Sequence, residues 1–103
     1  MHMLLVKFHS GLPDDEVEGL LKTRLPLFRA VPGLNQKYYA QEPESGDYVG
    51  VYIFESQEAL LNYRASELAK SIPGTYHVVG TPRVEVLKLL FSSAGENRAT
   101  PRP

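Results

Sequence analysis

A chain of 103 residues that is 43% hydrophobic and 22% charged, with a formal net charge of -1, has the composition of one ordinary globular domain. Its Lys, Arg, Asp and Glu are interspersed, which leaves no basic footprint for nucleic acid and no polybasic membrane patch. The lack of cysteine excludes a disulfide framework, a thiolate metal site and a cysteine nucleophile. No window approaches the ~18 apolar residues of a membrane span, and the apolar run before Lys7 is too short for a signal segment, so the expectation is a cytoplasmic protein.

Residues 3–8 are an apolar run with β-branched and aromatic members, followed by the turn chemistry of Ser10, Gly11, Leu12 and Pro13; this is the first strand. Pro13 suits a first helical turn, and Asp14, Asp15 and Glu16 place negative charge where the helix dipole favours it. Val17, Leu20, Leu21 and Phe28 recur at helical spacing, with Pro26 expected to kink or end the regular part near Leu25. Val31, Pro32 and Gly33 stop the helix and launch a second strand over 34–41. A loop carrying Pro43 and Gly46 leads to a third strand over 48–54. Ser56 caps a second helix over 57–64, and Ser66 a further short helix before Pro73. After a loop through Gly80, residues 83–91 form the fourth strand. Residues 92–103 are polar with two prolines and are expected to fray, leaving residues 1–91 as the domain.

The order β-α-β-β-α-β builds a four-stranded antiparallel sheet with two helices on one face, the ferredoxin-like α+β arrangement. Alternation then assigns faces. Leu4, Val6 and Phe8 fall on the helix side of the first strand, leaving Met3, Leu5, Lys7 and His9 open. In the third strand the β-branched Val49, Val51 and Ile53 are placed under the helices and Tyr52 and Phe54 on the open face. With Leu34 on the helix side, Asn35, Lys37 and Tyr39 are open, although Tyr38 could reverse this phase. An open face so rich in rings and aliphatic chains is of a kind monomers seldom leave wet. A homodimer whose two sheets face each other would bury it around a cavity for a small aromatic or hydrophobic molecule.

The stretches VPGLNQKYY (31–39) and GVYIFESQEALLNY (50–63), with the element order, resemble the dimeric α+β barrel proteins of the antibiotic-biosynthesis monooxygenase group, and most closely its YdhR-type members. The resemblance covers about residues 3–91. It implies a dimeric barrel and, in the wider group, cofactor-free oxygenases acting on electron-rich aromatic or quinol-like substrates, beside haem-degrading enzymes. Many relatives carry a His after the third strand at the position held here by Tyr63, a departure that argues against haem ligation. No cofactor is therefore expected.

Among candidate site residues, His9 at the end of the first strand has a suitable ordinary pKa for proton abstraction, against the reading of a half-exposed strand-end His. Arg24 falls in the apolar helical stripe, where it either snorkels past Pro26 or holds an anionic or enolate oxygen. Tyr52 and Tyr39 orient a phenolic substrate or pack a dimer interface. Lys7 and Lys37, if partly desolvated, act as bases or bind an anion, against the commoner role of reaching water. Asn35 is a donor to a developing oxyanion or serves its own turn; Phe54 and Tyr63 complete the candidate substrate-binding set. Three scattered His without paired spacing give no metal site.

Two functional readings follow. The first is a cofactor-independent monooxygenase: a pocket base, His9, deprotonates a phenol whose anion reduces dioxygen and collapses to a quinone, with catalytic help from Tyr52 and Arg24. The alternative is a non-catalytic protein that sequesters a small hydrophobic ligand in the same cavity. RNA binding shares the element order but lacks the stacking motifs and basic surface.

Overall fold

The computed structural model describes residues 1–94; residues 95–103, most of the segment expected to fray, lie outside the described residues. Four strands, β1 (His2–Ser10), β2 (Leu34–Gln41), β3 (Tyr48–Phe54) and β4 (Val78–Lys88), form one antiparallel sheet in the order β2-β3-β1-β4. This is the ferredoxin-like α+β topology, with β2 and β4 at the edges. Five short helices fill the connections: α1 (Asp14–Thr23), α2 (Leu25–Arg29), α3 (Gln57–Arg64), α4 (Glu67–Lys70) and α5 (Ile72–Thr75). None of these helices is long and apolar enough to cross a membrane.

Pro26 acts as a start signal rather than a kink. It occupies the first turn of α2, where its missing N–H is not needed, and the regular helix breaks before it at Arg24. Ser56 and Ser66 cap α3 and α4, their Oγ atoms accepting from Ala59 N at 3.1 Å and Ala69 N at 3.2 Å. Pro73 lies within α5, a turn of helix that the sequence reading did not contain. Strand limits follow their partners: β1 extends to Ser10, so Val78 and Val79 find ladder partners in Ser10 and His9, and β4 begins five residues earlier than expected and ends at Lys88 opposite His2. The extra residues around Gly80, at φ +75°, are absorbed where one residue of β1, Phe8, faces three of β4, Gly80, Thr81 and Pro82.

The expected strand phases need correction. Leu4 pairs with Tyr52 and Phe8 with Tyr48, so Tyr48, Tyr52 and Phe54 share the helix-side face with Leu4, Val6 and Phe8. Val49, Val51 and Ile53 are on the open face, the reverse of the sequence expectation. β-Branched residues there are half-buried, whereas the aromatic side chains reach up to the helices: Tyr52 and Phe54 are 2% and 0% exposed. Burial volume, not branching, decides the side. Each such ring contributes roughly 1.5–3 kcal/mol by burial. Tyr52 stacks beside Phe54 and packs on Phe28 and Tyr63, its ring centroid 5.1 Å from that of Tyr63.

β2 is corrected too. Leu34 pairs with Phe54 on the helix side as expected, but the next partners are Gln36 with Ile53 and Lys37 with Tyr52. Two residues of β2 thus oppose one step of β3, a bulge at Asn35 that reverses the alternation. Lys37 and Tyr39 therefore lie under the helices, not on the open face. The open face carries Met3, Leu5, Lys7 and His9 of β1 as expected, together with Tyr38, Val49, Val51, Ile53 and Leu87.

Candidate functional site

The space between β2, β3 and the helices brings six chemistry-bearing side chains to one interior. From β2 come Lys37 and Tyr39, placed inward by the Asn35 bulge. Tyr52 rises from β3, Tyr63 descends from α3, and Tyr76 follows the last turn of α5. Arg24 enters from the break between α1 and α2, where the change of helix axis lets its side chain run inward. A small void of about 20 Å³ is lined by Phe8, Phe28, Lys37, Tyr39, Tyr52 and Tyr76 among others.

Lys37 is held by ring faces. Its Nζ lies 3.3 Å from the centroid of Phe28 and 4.4 Å from those of Tyr39 and Tyr52, contacts that favour the cation electrostatically. Burial works the other way and, with the Arg24 guanidinium adding like-charge repulsion, lowers the Lys37 pKa from 10.5 to about 7. Arg24 donates from Nη2 to Ser71 Oγ at 2.7 Å, and its Cζ sits 5.7 Å from the Tyr76 ring centroid. Its Nη1 is buried without a hydrogen-bond partner, as are the hydroxyls of Tyr39 and Tyr76. Arg24 lies close enough to Tyr76 to oppose the upward shift that burial gives this phenol, but makes no hydrogen bond of normal geometry to it.

The tyrosines are neutral acids here. Desolvation raises Tyr52 far above its ordinary value, pushes Tyr63 up to about 12 and raises Tyr39. Tyr63 donates its hydroxyl proton to Tyr52 Oη at 3.1 Å.

Two open clefts flank this interior on the β2 edge. One, of about 330 Å³, lies against α1 and is lined by Asp14, Leu21, Leu25, Tyr39 and Tyr48. The other, of about 200 Å³, lies against α2 and includes Asn35, Lys37 and Tyr39. Tyr39 stands in the wall of both clefts and of the void, with Leu21 and Tyr48 also between the first cleft and the void and Phe28 and Lys37 between the second and the void. In the first cleft Asp14 accepts from the Tyr48 hydroxyl and from Gln41 Nε2. Burial, with help from that carboxylate, raises the Tyr48 pKa to about 12.

The residues singled out in the sequence divide between two faces. Arg24, Lys37, Tyr39, Tyr52 and Tyr63 come together in the interior, and Phe54 packs beside them. Asn35 is the exposed bulge residue, which sets the phase of its neighbours and lines the α2 cleft. Lys7 and His9 are elsewhere, on the open face: Lys7 donates to Glu42 at 2.8 Å, and His9 Nδ1 lies 2.8 Å from Asp47 Oδ1 with more than half of its side chain exposed. The sequence reading missed Tyr76 and Ser71. Tyr76 gave only one signal, an aromatic residue two places after the Pro73-Gly74 pair, and neither residue acquires a role until α5 folds back over the sheet.

No protein-family model matches the chain, and none of the curated proteins does. Solved structures do match. The chain is similar to a monooxygenase from the ActVA-Orf6 gene of Streptomyces coelicolor, solved in complex with nanaomycin D, with 18% identity over 88% of each chain and a TM-score of 0.70. It is similar to SnoaB, a cofactor-independent oxygenase of Streptomyces nogalater, with 13% identity, 89% and 95% of the two chains covered and a TM-score of 0.71. A third similar structure, Rv0793 of Mycobacterium tuberculosis, has 18% identity, coverage of 89% and 97% and a TM-score of 0.69. At such identities the likeness is one of fold: the chain folds as antibiotic biosynthesis monooxygenase-like proteins do.

Proposed function

We propose that this protein is a cofactor-independent monooxygenase that oxidises a small electron-rich aromatic substrate, a phenol or quinol-like ring, in the interior between β2, β3 and the helices. One observation carries this reading: a lysine amine held near neutral pKa against three aromatic rings. The fold shared with a cofactor-independent oxygenase supports it. Lys37, neutral in a substantial fraction at physiological pH, takes the phenolic proton. The resulting ammonium and Arg24 hold the phenolate, and the Tyr52 and Tyr76 hydroxyls are available to an oxygen atom bearing developing charge. The phenolate gives one electron to dioxygen. Recombination of the radical pair forms a C–O bond at the ring carbon para to the oxygen, and loss of that carbon's proton with cleavage of the O–O bond releases water and leaves a quinone. The substrate supplies every electron, one oxygen atom enters the product and the other leaves as water. Lys37 replaces His9 as the base in this reading, because His9 is on the opposite face and engaged by Asp47.

The open sheet face supports a homodimer. Leu5, Tyr38, Val49, Val51, Ile53 and Leu87 share it, and a second copy is the simplest cover. The dimer stiffens the floor of the site; it does not enclose it.

The test is protein-dependent oxygen uptake, with quinone formation and incorporation of labelled oxygen, across a panel of phenols and naphthols with a free para position. Uptake that falls at least a hundredfold in Lys37→Met supports the reading. Ligand binding without oxygen uptake across the panel would convert the protein into the non-catalytic binder.

A further inference from the structure

The helices do not reach across the whole sheet. Val84 and Val86 of β4 pair with Val6 and Leu4 of β1, so all four belong to the helix side. Leu4 is 1% exposed beneath the helices, whereas Val84 and Val86, on the edge strand, are 41% and 43% exposed. Between this uncovered edge and the helices lies a groove of about 200 Å³. Leu4, Val6, Pro82 and Val84 line it from the sheet, and Ala69 of α4 and Ile72 of α5 from the helices. The groove is on the opposite side of the sheet from the face that a second copy would cover, so dimerisation there leaves it open.

The charge around the groove has one sign. Among the described residues its lining holds two charged side chains, Arg64 in the last turn of α3 and Lys70 in the last turn of α4. Neither is ion-paired among the described residues. Glu67, between them in the chain, is not part of the lining. Glu85 of β4 pairs with Leu5 on the other side of the sheet and is engaged by Arg83. Tyr63 also lines the groove, but its hydroxyl is committed to Tyr52. Exposed cations are ordinary, and so are single exposed valines. Their conjunction is not: an apolar trough bordered by two cations and no carboxylate complements an apolar chain that ends in an anion.

We propose that this groove binds a medium-chain fatty acid, its alkyl chain along Ala69, Ile72 and Val84 and its carboxylate held by Arg64 and Lys70. The volume sets the size class, because 200 Å³ is below the usual range of pockets for larger ligands and suits one short chain rather than a two-chain lipid. Arg64 gives the carboxylate charge-assisted hydrogen bonds, and Lys70 adds a second positive charge. This goes beyond the oxygenase reading, since the cavity, the ligand and the residues that hold it are different. It stands with or without turnover.

The experiment titrates the native chain with decanoate, octanoate and decyltrimethylammonium, below the concentrations at which they form micelles, by calorimetry and by methyl NMR. Decanoate should bind at least tenfold more tightly than decyltrimethylammonium, which has the same chain and the opposite charge. Octanoate, shorter by two methylenes, should bind about tenfold more weakly than decanoate if those groups are buried. The methyl signals of Val6, Ala69, Ile72 and Val84 should shift most. Arg64→Glu combined with Lys70→Glu changes two exposed positions and should reverse the preference between decanoate and decyltrimethylammonium. Val84→Ser should weaken decanoate several-fold and keep the preference for the anion. Equal affinity for the two head groups, a preference unchanged in the double variant, octanoate binding as tightly as decanoate, or unweakened binding by Val84→Ser overturns the proposal. So do shifts centred on Val49, Val51 and Ile53 of the open face, and the absence of decanoate binding. Binding to anionic phospholipid vesicles but not to free decanoate would assign the two cations to a membrane surface and overturn it equally.

Discussion

Tyr63 on α3 donates its hydroxyl proton to the hydroxyl of Tyr52 on β3, 3.1 Å away and out of reach of water. The bond ties the helix layer to the sheet across the aromatic core. Tyr63→Phe removes the donor and should lower stability by about 1 kcal/mol. Tyr52→Phe should cost at least as much, because it leaves the Tyr63 proton buried without an acceptor. The double replacement should recover part of the combined loss, giving a coupling energy of about 0.5–1 kcal/mol in a double-mutant cycle read by urea denaturation. Strictly additive losses would mean that the two hydroxyls do not communicate.

Lys37 imposes a pH dependence on folding. Its folded pKa, about 7, is depressed below the unfolded value of 10.5, so between these values the unfolded chain binds more protons and stability rises with pH. Below about 7 the lysine is charged in both states and its burial cost is fully present. Above 10.5 it is neutral in both and that cost is gone. Lys37→Met should therefore stabilise the protein at pH 6, by about 1–3 kcal/mol, and should flatten the rise in stability between pH 7 and pH 10. A pH profile of the midpoint of denaturation that is identical in the two proteins would show the amine to be hydrated.

The bulge at Asn35 sets the phase of β2. Asn35→Ala keeps the residue count and should cost less than about 1 kcal/mol, in line with other exposed positions. Deleting Asn35 removes the extra residue and leaves Leu34, Gln36 and Lys37 opposite Phe54, Ile53 and Tyr52 in strict alternation, so Leu34, Lys37 and Tyr39 keep the helix side and the fold should survive. Inserting one residue between Gln36 and Lys37 instead turns Lys37 and Tyr39 to the open face and should cost several kcal/mol, enough to leave the chain largely unfolded at room temperature given the usual margin. Circular dichroism and urea midpoints distinguish the insertion from the other two variants; similar midpoints would mean that the sheet accommodates either phase.

Gly33 is fixed by space and by backbone. It has φ +76°, and a Cβ there would stand 2.5 Å from the Ala59 Cβ. Its carbonyl accepts from Glu55 N at 2.8 Å, joining the start of β2 to the end of β3. Gly33→Ala should lose about 2–4 kcal/mol, from the left-handed conformation and from the clash with α3 together. Trimming the neighbour as well, in Gly33→Ala with Ala59→Gly, should restore only the steric share.

The open face gives the fifth prediction. Val51 lies at its centre, opposite Leu5 in β1 and Tyr38 in β2. Val51→Lys should leave the fold intact and shift sedimentation at micromolar concentration from a dimer toward a particle of 11.5 kDa. A native protein that sediments as a monomer would remove the dimer from the account.

Local chemistry settled much of this protein before any contact was formed. Ser56 with Gln57 to Arg64, the hairpin strands 34–41 and 48–54, and the β-α-β-β-α-β order are legible because capping, turn residues and apolar periodicity act within a few residues of one another. Which surface each strand shows to the helices was not legible in the same way. One unpaired residue at Asn35 reverses every later side chain of β2, and that residue is defined only by its partner strand. In β3 either phase places apolar groups on both faces, so the choice falls to volume: rings fill the gap beneath α2 and α3, and the β-branched residues do not. Arg24, Lys37 and Tyr76 are far apart in the chain, and their meeting depends on a helix break and on α5 folding back over the sheet. The sequence determined the elements and their order; only the packed structure decided that Arg24, Lys37 and the tyrosines would meet inside the fold, because burial and register are properties of strands and helices in contact.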